Sequence, residues 1–233
     1  PMQVTVEEIG VMPDRTPLNE IDPDAAPQEV VIPPRQVTAP AGTIYDGLPD
    51  TERIGHIVPH THWDRAWYLP FQKFRYKLVE MMDDLLDLLE QNPETYPSFE
   101  LDGQTIVLED YLEIRPENAS RITALVEEER LSIGPWYVLP DEYLAGGEGL
   151  IRNLIRGRRI AESYGGCSSV GYVPDPFGHV SQMPAILTGC GLDSFIFTRG
   201  AGPWIQDARG IFKWYSPDGQ SKVLAIKQAP DYP

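Results

Sequence analysis

Val170-Gly-Tyr-Val-Pro-Asp-Pro-Phe-Gly-His-Val-Ser-Gln-Met-Pro-Ala-Ile-Leu-Thr-Gly-Cys-Gly-Leu-Asp-Ser-Phe-Ile-Phe197 spells out one complete strand–helix–strand unit. Val170 to Val173 is an apolar run suited to a strand, and Pro174 and Pro176 close it by removing main-chain donors. Ser181 is placed to cap a short helix reaching Leu187, and Phe195-Ile196-Phe197 reads as the next strand. Two strands separated by a helix must run parallel, because a crossover returns the chain to the same end of the sheet.

Outward from this unit the same alternation continues. Ile54 to Pro59 is a β-type run, and Phe74, Leu78, Met81, Leu85, Leu88 and Leu89 then repeat at helical spacing, with Glu80, Asp83, Asp84 and Asp87 opposite. A strand around Ser98 to Leu101 precedes a helix with Pro116 near its start and Ile122, Leu125 and Val126 on its buried face. Leu131 to Leu139 reads as a strand, and Leu150, Ile151, Leu154, Ile155 and Ala161 mark a helix whose solvent side carries Arg152, Arg156 and Arg159. The order predicts an α/β fold with a parallel sheet, open or closed into a barrel, and functional groups at the carboxyl ends of the strands. Lys213 to Ile226, turning at Pro217-Asp218-Gly219, reads as a β-hairpin appended after the last strand.

Residues 1–50 differ, with prolines at 13, 17, 23, 27, 33, 34 and 40. Such a stretch cannot sustain helices and reads as an extended arm or linker, leaving residues 51–233 as the main domain. Across the whole chain, 35 acidic against 19 basic residues give a net charge of −16. That field repels nucleic acid and anionic membrane and is indifferent to a neutral sugar. No run of about eighteen apolar residues and no basic-then-apolar leader is present, so the default location is cytoplasmic. Cys167 and Cys190 read as small buried residues rather than a disulfide framework.

Three of the four histidines fall in Gly55-His-Ile-Val-Pro-His-Thr-His-Trp-Asp64, where the first strand ends. On extended backbone, alternate residues share a side, so His60, His62 and Asp64 can project together. Imidazole plus carboxylate suits zinc or a similar divalent ion. Asp175 sits directly after a strand between two prolines, where this architecture places catalytic groups, although an Asp in a turn is also ordinary.

His60-Thr-His-Trp-Asp-Arg-Ala-Trp-Tyr68, Gly134-Pro-Trp-Tyr137, Gly147-Glu-Gly-Leu-Ile-Arg-Asn-Leu154, Pro174-Asp-Pro-Phe-Gly-His179 and Phe197-Thr-Arg-Gly200 occur in this order. Together they resemble the N-terminal catalytic domain of glycoside hydrolase family 38, the retaining α-mannosidases, over roughly Gly55 to Gly200. The resemblance implies the N-terminal part of a seven-stranded β/α barrel holding one zinc ion. It implies His62, Asp64 and Asp175 as metal ligands, with Asp175 also the catalytic nucleophile. Trp67 would line the sugar subsite and Arg199 would stand beside the nucleophile, both binding substrate. His60, Asp141 and Arg152 match without an assigned role, and Ala66 departs from the acidic residue of many bacterial members.

The implied reaction is attack by an ionised carboxylate on the anomeric carbon, giving a glycosyl-enzyme intermediate. Zinc would hold ring hydroxyls, and Trp63, Tyr68, Trp136 and Phe177 could add apolar surface for a sugar face. A retaining enzyme also needs a second carboxylic acid about 5 Å from the nucleophile. The resemblance places that acid and a fourth metal ligand beyond Pro233, so the domain at 51–233 is expected to be incomplete and inactive alone. Its exposed edges would favour association into a homo-oligomer. Asp193, Asp207 and Asp218 are the later acids, none singled out. Two other readings remain open: an amidohydrolase-like metal hydrolase built on His60-Thr-His62, and a carbohydrate-binding protein without catalysis.

Overall fold

A computed structural model describes residues 57–201 and 210–228, and residues 1–50, with the arm expected there, lie outside it. The described chain forms β1 (His60–Thr61), α1 (Phe71–Gln91), β2 (Phe99–Leu101), α2 (Ile106–Leu112) and α3 (Ala119–Glu127). It continues through β3 (Leu131–Ser132), α4 (Gly147–Ser163), β4 (Val170–Tyr172), α5 (Met183–Gly189), β5 (Ser194–Phe197), β6 (Ile211–Tyr215) and β7 (Lys222–Lys227).

The strands make two sheets, β1-β2-β3 and β4-β5-β7-β6. All pairings are parallel except the antiparallel β6–β7. The fold is therefore mixed α/β with parallel strands. Among the described residues the seven strands are divided between two sheets and do not close into one ring.

Helix α1 buries Phe74, Leu78, Met82, Leu85, Leu86 and Leu89 along one side. All but Phe74 pack with Leu101, Tyr111, Ile122, Leu125 and Leu131 into a core on the helix side of the first sheet. Each such fully buried apolar side chain contributes about 1.5–3 kcal/mol before entropy is counted. Asn92 ends α1 by returning its N–H to the Leu88 carbonyl, and Pro93 cannot continue it. Arg121 of α3 pins the outer side, reaching Asp87 at 2.6 Å and Glu90 at 2.7 Å. A second core, with Leu150, Leu154, Val173, Leu187, Phe195, Phe197 and Ala225, lies under the second sheet.

Several expectations need correction. The hairpin is not an appendage: β7 pairs parallel with β5, setting Ala225 opposite Phe195, so the hairpin extends the sheet. Of the run expected over Ile54 to Pro59, Ile54 to His56 lie outside the described residues; among those described, strand pairing falls at His60–Thr61, and Pro59, which has no N–H, accepts from Glu100 N–H at 2.9 Å. The strand expected over Leu131–Leu139 stops early, at Ser132, shortly before Gly134, whose φ is +73°, and Pro135. Parallel bonding resumes briefly where Trp136 N–H meets the Gly103 carbonyl at 3.0 Å. The short helix after β4 starts at Met183 with Gln182, not Ser181, as its N-cap. Cys167 and Cys190 are free thiols and only partly buried.

Candidate active site

Asp102, Asp175 and Arg199 all lie just beyond the carboxyl ends of parallel strands, as do His62 and Asp64, and Glu142 lies in the loop between β3 and α4. Immediately after β1 the chain turns inward. The His62 Nδ1–H donates to Asp102 Oδ1 at 3.0 Å, and the Trp63 N–H donates to Asp102 Oδ2 at 2.6 Å. Asp102 is fully buried at the end of β2, with φ of +46° followed by Gly103 at +63°, a left-handed pair that bends the strand end toward β1. Gln104 completes the brace, donating to Asp102 Oδ2 at 2.6 Å and to the Trp63 carbonyl at 2.8 Å, while accepting from Leu139 N–H.

His62 Nε2 lies 3.7 Å from Asp64 Oδ1. Burial by itself would lower the His62 imidazole, but the hydrogen bond and charge of Asp102, with Asp64 and Asp175 behind, hold it above its ordinary value. Glu100, on β2 beside them, is pushed up to about 7 chiefly by burial, with Ser132 opposing and Asp102 adding to the rise.

Asp175 follows β4. Its Oδ1 is 2.5 Å from Arg199 Nε, and the Arg199 guanidinium also covers the Phe177 ring, 4.6 Å from the centroid. Burial raises the Asp175 carboxyl above its ordinary value; Arg199 and His62 pull against the rise and Asp64 adds to it. The guanidinium alone therefore does not outweigh burial at this carboxyl.

His62, Asp64, Asp175 and Arg199 are thus brought into one electrostatic neighbourhood. Trp67 is 67% exposed and packs edge-on against Tyr68 at 5.5 Å. Phe177 is also exposed, and Trp63 is half-buried against the first core, whereas Trp136 is wholly buried, which removes it as a sugar surface. His60 is exposed and edge-on to Tyr172, and Arg152 pairs with Glu148 on the outside of α4. Asp193 opens β5 at the end opposite Arg199, Asp218 is spent on the hairpin turn with Ser216, and Asp207 lies outside the described residues.

His62 and two carboxylates form a donor set suited to a borderline divalent ion, and a carboxylate on Nδ1 is how metal-binding imidazoles are commonly oriented. Among the described residues, however, no three His, Cys, Asp or Glu side chains are gathered tightly enough to hold a metal. His179, the remaining histidine for an amidohydrolase-type site, is committed to Glu142 and the Arg199 carbonyl. Sequence reading missed Asp102, Gln104 and Glu142; the signal available was Asp102-Gly-Gln directly after a strand.

The profile of the glycosyl hydrolases family 38 N-terminal domain matches residues 54–232, and the chain belongs to that family. The match extends past Gly200, where the motif resemblance stops, and takes in the hairpin. The chain is 42% identical over 192 residues to a Halalkalibacterium halodurans protein named "Putative mannosylglycerate hydrolase", covering 78% of this chain and 21% of that one. It is 30% identical over 178 residues to human "Alpha-mannosidase 2C1", covering 75% of this chain and 17% of that protein. The chain therefore spans about a fifth of the length of these curated relatives. An α-mannosidase crystal structure from Enterococcus faecalis V583 superposes with a TM-score of 0.69 at 38% identity, over 74% of this chain and 20% of that one. A Thermococcus litoralis 4-α-glucanotransferase, at 14% identity and a TM-score of 0.54, shares the fold alone. Among the described residues no helix is long and apolar enough to cross a membrane.

Proposed function

We propose that the chain is the nucleophile-bearing part of a retaining α-mannosidase. The observation that carries this reading is the Asp175 carboxylate beyond β4, 2.5 Å from Arg199 Nε, in a family 38 domain. Asp175 attacks the anomeric carbon, the glycosidic bond breaks as the new C–O bond forms, and water later releases the sugar from the ester. Arg199 fixes the carboxylate's direction and offsets its charge, and the exposed Trp67 ring offers a face for the sugar. His62, Asp64 and Asp175 would hold a zinc ion, which when bound supplies positive charge against ring hydroxyls. The donor types and the Asp102 brace on His62 support this; the looseness of the set counts against a site assembled by these residues alone. The general acid is supplied by a segment other than those described. The barrel expected for the family would join the two sheets with further strands.

The higher identity to the relative named for mannosylglycerate favours a mannosyl unit linked to a small acidic group. The test is Asp175→Asn in the full-length protein, assayed on an aryl α-mannoside and on mannosylglycerate. Turnover should fall by more than about 10³-fold with the fold intact. Turnover within tenfold of the parent on both would refute the assignment.

A further inference from the structure

His179 closes the Pro174-Asp-Pro-Phe-Gly-His loop, and nothing in the proposed reaction uses it. Its ring is buried and held on both sides. Nε2 lies 3.0 Å from the Arg199 carbonyl, which can only accept, so Nε2 carries a proton. Nδ1 lies 2.8 Å from Glu142 Oε1, and the other Glu142 oxygen already accepts from Val180 N–H at 2.7 Å. Glu142 is itself fully buried. Phe195, Phe197 and Trp214 meet the imidazole edge-on at 5.3, 4.5 and 5.8 Å, leaving the ring no second orientation.

The loop is therefore tied to β5 at both ends. At its start the Pro174 carbonyl accepts from Thr198 N–H at 3.2 Å and from the Thr198 hydroxyl. At its end His179 holds Arg199, the residue whose side chain grips Asp175. Between the ties the backbones come so close that a Cβ on Gly200 would meet the Pro176 carbonyl oxygen at 3.0 Å and His179 Nε2 at 3.1 Å.

We propose that His179, clamped between Glu142 and the Arg199 carbonyl, is a positioning residue that fixes the direction in which Asp175 and Arg199 face the substrate. It touches neither the reacting atoms nor Asp175. Its effect is to stop the two ends of one ion pair from drifting apart: they follow adjacent paired strands, the Thr198–Pro174 tie holds the start of the loop, and this imidazole holds the Arg199 backbone to its end. The inference rests on the functional reading above for its catalytic consequence, and not for its geometric one.

The test compares two variants of the full-length protein. Glu142→Gln keeps an oxygen for Val180 N–H and turns an amide donor toward Nδ1, so the ring still donates to Arg199. Its kcat should fall by less than about tenfold, as one charged hydrogen bond becomes neutral. Glu142→Gln combined with His179→Phe keeps the aromatic packing, leaves no buried lone carboxylate and removes the ring N–H that holds the Arg199 carbonyl. Relative to Glu142→Gln its kcat on an aryl α-mannoside should drop a further ~10²-fold, the cost of roughly 1 Å of misplacement, with KM within about threefold. Equal kcat in the two variants would overturn the proposal, and so would a drop confined to KM. A parent that cleaves no glycoside would refute the functional reading alone. A crystal structure of the double variant then decides the inference: the Asp175–Arg199 contact should lengthen by 1 Å or so, and an unchanged 2.5 Å contact refutes it. Failure of the double variant to fold while the Glu142→Gln protein folds would count against a positioning role, because it would make the ring a structural requirement.

Discussion

Replacing Asp102 by Asn probes the brace under His62 with almost no change of shape. The parent carboxylate accepts at 3.0 Å from His62 Nδ1, at 2.6 Å from Trp63 N–H and at 2.6 Å from Gln104 Nε2. An Asn can keep its carbonyl oxygen toward Trp63 and Gln104, but its NH₂ must then face Nδ1. Two donors cannot share that contact, so the neutral imidazole shifts its proton to Nε2, as when an oriented His–Asp pair loses its charge. Three charge-assisted bonds become neutral or reversed, and removing a buried charge gives part of that back, for a net loss of about 1–3 kcal/mol. The nitrogen facing Asp64 becomes a donor instead of an acceptor, so zinc affinity should fall by about 10–100-fold. Long-range ¹H–¹⁵N correlation of the His62 ring, recorded at alkaline pH, reports the tautomer directly, and competition with a chelating dye reports the affinity. A variant that keeps its proton on Nδ1 and binds zinc as the parent does would refute the reasoning.

Two further outcomes are expected. Glu100, at about 7 in the fold against 4.5 unfolded, keeps a proton that the unfolded chain gives up, so it weakens the fold as pH rises from about 4.5 to 7. Glu100→Gln should therefore gain on the order of 3 kcal/mol over the parent at pH 8 and little at pH 4, read from urea unfolding; a gain independent of pH would be the wrong sign of evidence for a buried acid. Gly157→Ala should destabilise by more than about 2 kcal/mol, because the new Cβ would lie 2.1 Å from the Trp136 carbonyl carbon, and backbone cannot step aside as a side chain can. Thermal unfolding within a degree of the parent would show that α4 can retreat.

What the sequence disclosed depended on whether a polar face was present to reveal the period. Helices α1 and α4 alternate apolar and charged residues and are legible from that alone. Helix α2 is not: Ile106, Val107, Leu108, Asp110 and Tyr111 are all buried, so no contrast marks the turn of the helix, and β-branched residues disguise it as a strand. The hairpin's turn was legible at Pro217-Asp218-Gly219, but the parallel partner of β7 was not, since pairing across the sheet leaves no local mark. His62, Asp64 and Asp175 stood out because their neighbours are distinctive. Asp102 and Glu142 did not, because a single acid after an apolar strand looks the same whether it caps a turn or holds an imidazole.

Those two unmarked acids have a shared position that explains more than either alone. His62 and Asp64 ride on the first sheet, Asp175 and Arg199 on the second, and no strand ladder joins β3 to β4. The Ser168 N–H to Ile133 carbonyl bond at 2.8 Å links the end of β3 to the segment leading into β4. At the site end the connection runs through side chains. Gln104, locked to Asp102, accepts from Leu139 N–H, and three residues later Glu142 takes hold of His179 and Val180. The segment from Leu139 to Glu142 is therefore gripped from the first sheet at one end and from the second at the other. A shift of this loop moves the imidazole of His62 and the carboxylate of Asp175 relative to each other even though neither touches it. Buried, hydrogen-bonded acids are suited to that task, because a charged bond resists displacement more steeply than apolar packing, and each has lost the water that could replace its partner.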